Sequence, residues 1–215
     1  REPSSLLWYR QQRGASYEAM DKEVKEELLQ TLLQEQGHLC AYCMKKIPEK
    51  RGTPPVTIEH WLPRNPDNAI DLGQGLDYRN MLAVCSGNRG CGDKRAMTCD
   101  AHRGNTELTV NPFDEMSVRK IKYKADGSIY SEDAEINKDV TETLNLNCQA
   151  LSLPQTRKNV LMAEKNRIMR KCKGKSQDAF LHELERTYTS LVQERNLTPY
   201  CGIIISWLES KLKIS

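Results

Sequence analysis

The chain has 215 residues, enough for one large domain or for one core with helical additions. Its 32 Lys and Arg residues are balanced by 29 Asp and Glu residues, and a net charge of +3 is too mild to indicate a nucleic-acid partner by itself. The longest apolar run, at 200–208, is shorter than the about 20 residues of a bilayer span, which excludes a membrane-spanning protein.

The N-terminal 37 residues are predicted to form an arm followed by a helix. Residues 1–15 show no clear period and are expected to be irregular. Residues 16–36 carry an apolar stripe at helical spacing, made of Val24, Leu28, Leu29, Leu32 and Leu33. Ser16 is a suitable N-cap and Gly37 the expected C-terminal stop. We expect this helix to pack against the core.

The central segment, residues 38–115, is predicted to hold two short strands. The β-branched residues at 56–58 form the first strand, which delivers Glu59 and His60 at its end. A polar loop at 64–79 ends at Asn80, and a second apolar run at 81–84 forms the other strand.

Cysteines bracket these two strands. Cys40 and Cys43 have the two-residue spacer that lets both sulfurs face one ion from a tight turn. With Cys85 and Cys99 they predict a tetrahedral, structural zinc site, which would stabilise a modest core. Cys91, in a basic insertion at 86–98, is the alternative fourth ligand. Because no export signal is visible, the pair at 40–43 indicates metal binding before disulfide formation, and we expect the protein in the cytoplasm.

Groups suited to hydrolysis lie between the thiols. A neutral His60 can take a proton from water near pH 7, and the carboxylate of Glu59 is a hard ligand suited to Mg²⁺. A short helix that opens at Cys99 would place Asp100 and Arg103, three residues apart, on one face.

The remaining residues, 116–215, are predicted to be a β-hairpin followed by helices. Extended segments at 118–123 and 128–131 flank an Asp-Gly turn signal. Residues 157–175 hold eight Lys or Arg and one acid, and they indicate either a solvated helix face or a phosphate-facing patch. The helices are expected at 137–147, 154–172, 176–195 and 199–212.

Taken together, these motifs resemble a known family. Glu59-His60-x-x-Pro63, Asn80-Met-Leu leading to Cys85, and Cys99-Asp100-x-x-Arg103 resemble the HNH (ββα-metal) endonuclease motif in its zinc-containing form. With Cys40-Ala-Tyr-Cys43 and Asn111-Pro112, the sequence is similar to the HNH nuclease subunits of Septu-type bacterial anti-phage defence, which also occur with retrons. The similarity covers residues 1 to about 160.

The resemblance implies an α+β fold, with a small ββα core and a zinc knuckle between an N-terminal helix and a C-terminal helical region. It also implies roles: His60 is the general base, Asn80 holds the loop that aims His60, and the four thiols at 40, 43, 85 and 99 bind zinc. Three positions depart from the family pattern. Glu59 stands where a metal-binding Asp is commoner, Asp100 where His or Asn is usual, and Arg103 where a Lys usually faces phosphate.

The expected cofactors are structural Zn²⁺ and a catalytic Mg²⁺ or Mn²⁺ held by Glu59 and Asp100. His102 is an alternative to Asp100 as the second ligand, and we favour Asp100 because it directly follows a zinc cysteine.

The expected function is cleavage of phosphodiester bonds in nucleic acid, with DNA favoured over RNA. The resemblance implies an ATPase partner of the ABC/SMC-like type that gates the nuclease and, where a retron is part of the system, its reverse transcriptase with its RNA–DNA. The alternative is a zinc-stapled nucleic-acid-binding or structural subunit without catalysis of its own.

Overall fold

A computed structural model describes residues 1–48, 56–64, 74–193 and 197–214. Most of the predicted polar loop, at 65–73, lies outside the described residues. The described part combines helices with two small antiparallel sheets, which confirms a mixed α and β structure. The helices are α1 (Ser4–Tyr9), α2 (Lys22–Glu35), α3 (Cys99–Arg103), α4 (Glu115–Arg119), α5 (Ala134–Lys138), α6 (Leu153–Lys171), α7 (Gln177–Gln193) and α8 (Cys201–Leu212). The strands are β1 (Val56–His60), β2 (Met81–Cys85), β3 (Ile121–Tyr123) and β4 (Ile129–Ser131).

The β1–β2 hairpin organises the central segment. Its strands are antiparallel, with Val56 opposite Cys85 and His60 opposite Met81. Every residue of β2 is buried, which accounts for its unbroken apolar sequence. Both strands are slightly longer than predicted, so Glu59, His60 and Cys85 belong to the strands themselves. Hydrogen bonds of the ladder therefore fix their backbones.

The outer edge of β2 is closed by the end of α2. The Ala83 amide donates to the Gln36 side-chain oxygen at 2.8 Å, and the Gln36 side-chain nitrogen donates to the Ala83 carbonyl at 2.8 Å. The Ala41 amide donates to the same carbonyl at 3.2 Å. Because unpaired strand edges attract further strands, this cover isolates the hairpin and ties α2 to it.

The N-terminal region differs from the prediction in two respects. Residues 4–9 form a short helix, α1, whose Leu6 and Tyr9 are buried, where an irregular arm was expected. The following helix begins at Lys22, because Ser16 caps only a local turn by accepting a hydrogen bond from the Ala19 amide at 3.2 Å. The buried residues of α2 are three of the five in the predicted stripe: Leu28, Leu32 and Leu33.

The prediction of a single helix at 137–147 is wrong in its limits. Helix α5 begins at Ala134 and passes into a π-helical turn over Asp139–Thr143. Asp139 is buried there, and its carboxylate accepts backbone hydrogen bonds from Thr109 at 2.6 Å and Val110 at 2.8 Å. These bonds favour the local widening of the helix, because the carboxylate is held against the chain at 109–110.

Two main hydrophobic clusters hold the described residues together. The first extends from Leu6 to Leu146 and includes α2, β2 and the buried cysteines at 40, 43, 85 and 99. The second joins helices α6, α7 and α8, whose positions agree with the predicted helices within three residues at each end. No described helix is both long and apolar enough to cross a membrane.

Candidate metal centre and active site

Four cysteine sulfurs form a compact, buried group. The Sγ atoms of Cys40, Cys43, Cys85 and Cys99 lie within 4.8 Å of one another. The Sγ–Sγ distance is 3.7 Å between Cys43 and Cys85, and 3.8 Å between Cys40 and Cys99 and between Cys85 and Cys99. Four thiolates at about 2.3 Å from a tetrahedral zinc ion lie about 3.8 Å apart. The spacing of the sulfurs therefore fits such an ion.

A tight loop presents the first pair of thiols. Residues Leu39 and Lys46 form an isolated antiparallel bridge, and the Cys40 amide donates to the Lys45 carbonyl at 2.9 Å. The Met44 amide donates back to the Cys40 carbonyl at 3.0 Å, with Met44 in the left-handed region at φ +61°. This turn brings Cys43 back beside Cys40.

The second pair is brought together by the loop at 86–98. Cys85 ends β2 and Cys99 begins α3, and the ends of the loop meet where the Thr98 amide donates to the Gly87 carbonyl at 2.9 Å. Gly87 has φ +56°, and a Cβ there would collide with the Thr98 carbonyl oxygen. Only glycine fits this close approach, which allows the two thiols to meet.

The electrostatics of the group favour a shared cation. Hydrogen bonds from neighbouring thiols hold the pKa of Cys85 far below its ordinary value. The pKa values of Cys43 and Cys99 are raised by hydrogen bonding among the neighbouring thiols and by burial. Without a cation, the group can accommodate one thiolate readily but not four, and a bound metal ion would remove this restriction.

Cys99, and not Cys91, completes this group. Cys91 is exposed, and its thiol donates to the Asp93 carbonyl at 3.1 Å. It lies on the outer part of the 86–98 loop, in a run of exposed residues.

Two carboxylates from different elements meet beside the hairpin. Glu59 lies on β1 and Asp100 on α3. The pKa of Glu59 is raised to about 8. Burial is the largest cause and the neighbouring charge of Asp100 the second, and together they outweigh the lowering effect of Arg103. A cation would stabilise two carboxylates that lie close together and are largely shielded from water.

Arg103, for which the resemblance implies a contact with phosphate, is buried in this structure. Its side chain has no exposed surface, and it donates to Glu59 Oε1 at 2.5 Å and to the Tyr42 hydroxyl at 3.0 Å. It also donates to three backbone carbonyls, those of His60, Trp61 and Thr106. Its guanidinium therefore fixes the end of β1 from inside.

His60 is buried at the end of β1 with one nitrogen engaged. Its Nε2 lies 3.0 Å from the Gly75 carbonyl oxygen, which accepts only if Nε2 carries the proton. That assignment leaves a lone pair on Nδ1. The Tyr17 ring contacts the imidazole edge to face, with 4.6 Å between ring centroids. Burial lowers the pKa of His60, so the ring is neutral at pH 7.

The Asn80 side chain contacts two segments near His60, one at Leu62 and one at Gln74. Its side-chain oxygen accepts from the Leu62 amide at 2.7 Å, and its side-chain nitrogen donates to the Leu62 carbonyl at 3.0 Å. The same nitrogen lies 3.5 Å from the Gln74 carbonyl, next to the residue that accepts from His60. These bonds connect the segment just after His60 with the segment that carries its hydrogen-bond acceptor.

His102, the alternative ligand to Asp100, is turned towards another part of the chain. Its Nδ1 lies 2.9 Å from the Thr143 carbonyl oxygen and donates to it. Asp100 instead contacts Glu59 electrostatically and forms a short ion pair with Arg89.

Three residues near the site were not identified from sequence. Tyr42 donates to Glu59 Oε1 at 3.3 Å, Tyr17 packs on His60, and Arg89 pairs with Asp100. Tyr42 lies inside the Cys-x-x-Cys spacer and Arg89 in the insertion at 86–98, but neither pattern predicts which way these side chains point. Tyr17 precedes α2 and carries no local signal, because only the packing of α2 on the hairpin brings it to His60.

No family model matches the chain, and no curated protein matches it.

Proposed function

We propose that this chain is a metal-dependent endonuclease of the HNH type, which hydrolyses phosphodiester bonds of nucleic acid, with DNA as the favoured substrate. One observation carries the proposal: β1 and α3 bring Glu59 and Asp100 together at the end where β1 also delivers His60. Strand β1 supplies Glu59 and His60, and helix α3 supplies Asp100. Strand β2 pairs with β1, and the four-cysteine group includes the last residue of β2 and the first residue of α3.

The proposed role of the four-cysteine group is structural. All four thiols are buried and every donor is a sulfur, which suits Zn²⁺ in a closed tetrahedral site. Zinc there would join the loop at 40–43, the end of β2 and the start of α3. The relative positions of Glu59 and Asp100 would then depend on zinc, although neither binds it.

The proposed general base is His60. With Nε2 donating to the Gly75 carbonyl, Nδ1 keeps the lone pair that accepts a proton from water. A lowered pKa keeps the imidazole neutral at pH 7, which preserves this capacity. Asn80 would hold the loop bearing Gly75, so that the ring keeps its orientation during proton transfer.

The proposed ligands of a catalytic Mg²⁺ or Mn²⁺ are Glu59 and Asp100. Two carboxylates with open positions for water and phosphate fit the coordination habits of these ions. When bound, such an ion stabilises negative charge on the departing oxygen. Arg103 engages Glu59 through Oε1, and we infer that it orients this carboxylate.

The biological setting rests on the resemblance alone. We propose that the nuclease is the effector of a bacterial anti-phage defence complex in the cytoplasm, gated by an ABC/SMC-like ATPase and, where a retron is present, associated with its reverse transcriptase and RNA–DNA.

A cleavage assay tests the nuclease proposal. Purified protein is incubated with plasmid DNA and with structured RNA in Mg²⁺, Mn²⁺ or EDTA, alone and with the candidate ATPase. We expect metal-dependent cutting that His60→Ala abolishes. His182→Ala is the matched control, because His182 is an exposed histidine on α7, and it should cut like the wild type. Cutting that persists in His60→Ala would contradict the assigned base.

The ion pairs at the site favour one alternative, a zinc-stapled binding subunit without catalysis. Arg103 pairs with Glu59 and Arg89 pairs with Asp100, so both candidate ligands already carry a counter-charge. A non-catalytic module would retain zinc and bind nucleic acid, but would neither bind Mn²⁺ nor cut with any metal. A Mn²⁺ titration followed by the cleavage assay separates the two functions.

A further inference from the structure

The loop between the second pair of cysteines carries an arginine that reaches the candidate cation site. Arg89 Nη2 forms a short ion pair with Asp100 Oδ2. The Arg89 side chain is 58% exposed, whereas that of Asp100 is 13% exposed. The pair thus joins a solvent-accessible guanidinium to a carboxylate recessed in the site.

The backbone beneath Arg89 is firmly held. The Arg89 amide donates to the Ser86 carbonyl at 2.9 Å, which closes a turn directly after Cys85. Asn88 has φ +64°, and its side chain donates to the Ala96 carbonyl at 3.0 Å across the loop. Because the backbone is anchored on both sides, the Arg89 side chain can move while its base stays fixed beside the site.

A phosphodiester at this site needs a cationic side chain, and Arg103 is committed elsewhere. The guanidinium of Arg103 is fully buried and engaged with five acceptors. Among the described residues, two arginines contact the candidate carboxylates, and only Arg89 of these two is accessible to a ligand. A guanidinium suits the task, since it can bind two phosphate oxygens at once.

We propose that Arg89 is the phosphate-binding residue of this site, an inference that rests on the proposed nuclease function. In the free chain Arg89 neutralises Asp100. When nucleic acid and a divalent cation bind, its guanidinium leaves Asp100 for a non-bridging oxygen of the phosphodiester, and the cation takes its place on the carboxylate.

This exchange has a signature that a structural arginine lacks. Arg89 competes with the divalent cation for Asp100, so its removal strengthens cation binding. Arg89 also contacts phosphate, so its removal weakens nucleic-acid binding. The two effects have opposite signs in one variant, whereas general damage to the site weakens both.

The test compares Arg89→Ala with Arg95→Ala. Arg95 lies in the same loop, is 92% exposed and pairs only with Asp93 among the described residues, so its removal changes the net charge equally. Both changes are made in the full chain carrying His60→Ala, which prevents cutting. Mn²⁺ affinity is measured by calorimetry, and affinity for a labelled DNA duplex by fluorescence anisotropy at several salt concentrations in Mn²⁺.

We expect Arg89→Ala to bind Mn²⁺ several-fold more tightly and DNA about tenfold more weakly, with the salt dependence reduced by about one ion. Arg95→Ala should bind both Mn²⁺ and DNA with the affinity of the parent chain. Equal behaviour of the two variants would overturn the proposal, as would tighter Mn²⁺ binding with unchanged DNA affinity. Zinc content confirms that each variant is folded, and Arg89→Gln, which keeps the length of the side chain, repeats the test if Arg89→Ala loses zinc.

The outcome is separable from that of the nuclease proposal. A wild-type chain that cuts nothing with any metal, alone or with the candidate ATPase, refutes the nuclease, yet weaker DNA binding by Arg89→Ala would still support the phosphate contact. A wild-type chain that cuts, with Arg89→Ala equivalent to Arg95→Ala, refutes the role of Arg89 alone. A chain that binds no nucleic acid refutes both.

Discussion

Replacement of Arg103 by Met should destabilise the protein strongly, and this result decides between a structural and a phosphate-binding arginine. Met removes the charge and every hydrogen bond while keeping most of the apolar length. Removal of the guanidinium leaves the buried Glu59 carboxyl and three backbone carbonyls without the donor that they share. A phosphate-binding arginine could be replaced at little cost in stability.

The magnitude follows from burial. Breaking a buried ion pair by removing one partner costs about 3–5 kcal/mol. The cost at pH 7 should lie near the lower limit, because a pKa of about 8 means that the Glu59 carboxyl already carries a proton at this pH, so removal of Arg103 leaves no bare negative charge behind. With a urea dependence of about 2 kcal/mol per molar, a loss of about 3 kcal/mol moves the unfolding midpoint by about 1.5 M.

The assay is urea unfolding of the zinc-loaded chain, followed by circular dichroism at pH 7. Arg95→Met is the control, since that side chain is 92% exposed and its loss should leave the unfolding midpoint unchanged. If Arg103→Met unfolds at the same midpoint as the wild type and binds DNA more weakly, the buried, structural assignment is refuted.

Three further predictions concern the thiols, the carboxylates and the C-terminal helices. Cys99→Ser should lose most of the bound zinc and melt at a lower temperature, whereas Cys91→Ser should keep its zinc and its melting temperature. Metal analysis and calorimetry measure the two quantities. Equal zinc loss in the two variants would place Cys91 in the site. Because the pKa of Glu59 is about 8, binding of Mn²⁺ at pH 7 should release close to one proton. Calorimetry in buffers of different ionisation enthalpy detects this proton. Its release should fade above about pH 8, and no release at pH 7 would remove Glu59 as a ligand. Burial raises the pKa of Glu183, but hydrogen bonds from Arg186 and Lys171 outweigh this effect and lower the pKa to about 2. The ionised carboxylate therefore contributes its full stability above the unfolded pKa of about 4.3, and this contribution is lost as the pH falls towards 2. Glu183→Gln should flatten the pH dependence of the unfolding free energy between these two pH values, and an unchanged slope would contradict the prediction.

Local signals in the sequence predict the parts of the site that depend on short-range structure. The β-branched run before Glu59 and the apolar run before Cys85 both form the expected strands, because strand propensity and burial act in the same direction there. The Cys-x-x-Cys spacing identifies two sulfurs of the metal group, and Cys99 joins them through the folded loop at 86–98.

The parts that sequence could not predict depend on contacts between distant segments. Whether Arg103 faces solvent or the interior is decided by Tyr42 and the end of β1, which lie 61 and 44 residues away along the chain. Helix α1 has six residues, too few for a periodic signal, and it is stabilised by burying Leu6 and Tyr9. The π-helical turn depends on the contact of Asp139 with the backbone at 109–110.

The two arginines at the carboxylates differ in exposure: the Arg103 side chain is fully buried, whereas that of Arg89 is largely exposed. This difference explains how the proposed site could hold both positive charges and still accept a divalent cation. The guanidinium of Arg103 cannot leave Glu59 without exposing a buried acid and three carbonyls, so it behaves as a fixed charge. Arg89 is more than half exposed, so its guanidinium can return to water when it leaves Asp100. A cation needs only to displace the weaker of the two. In the proposed site, Arg103 would therefore be a permanent positive charge that orients Glu59, and Arg89 an exchangeable charge that neutralises Asp100 until the cation binds.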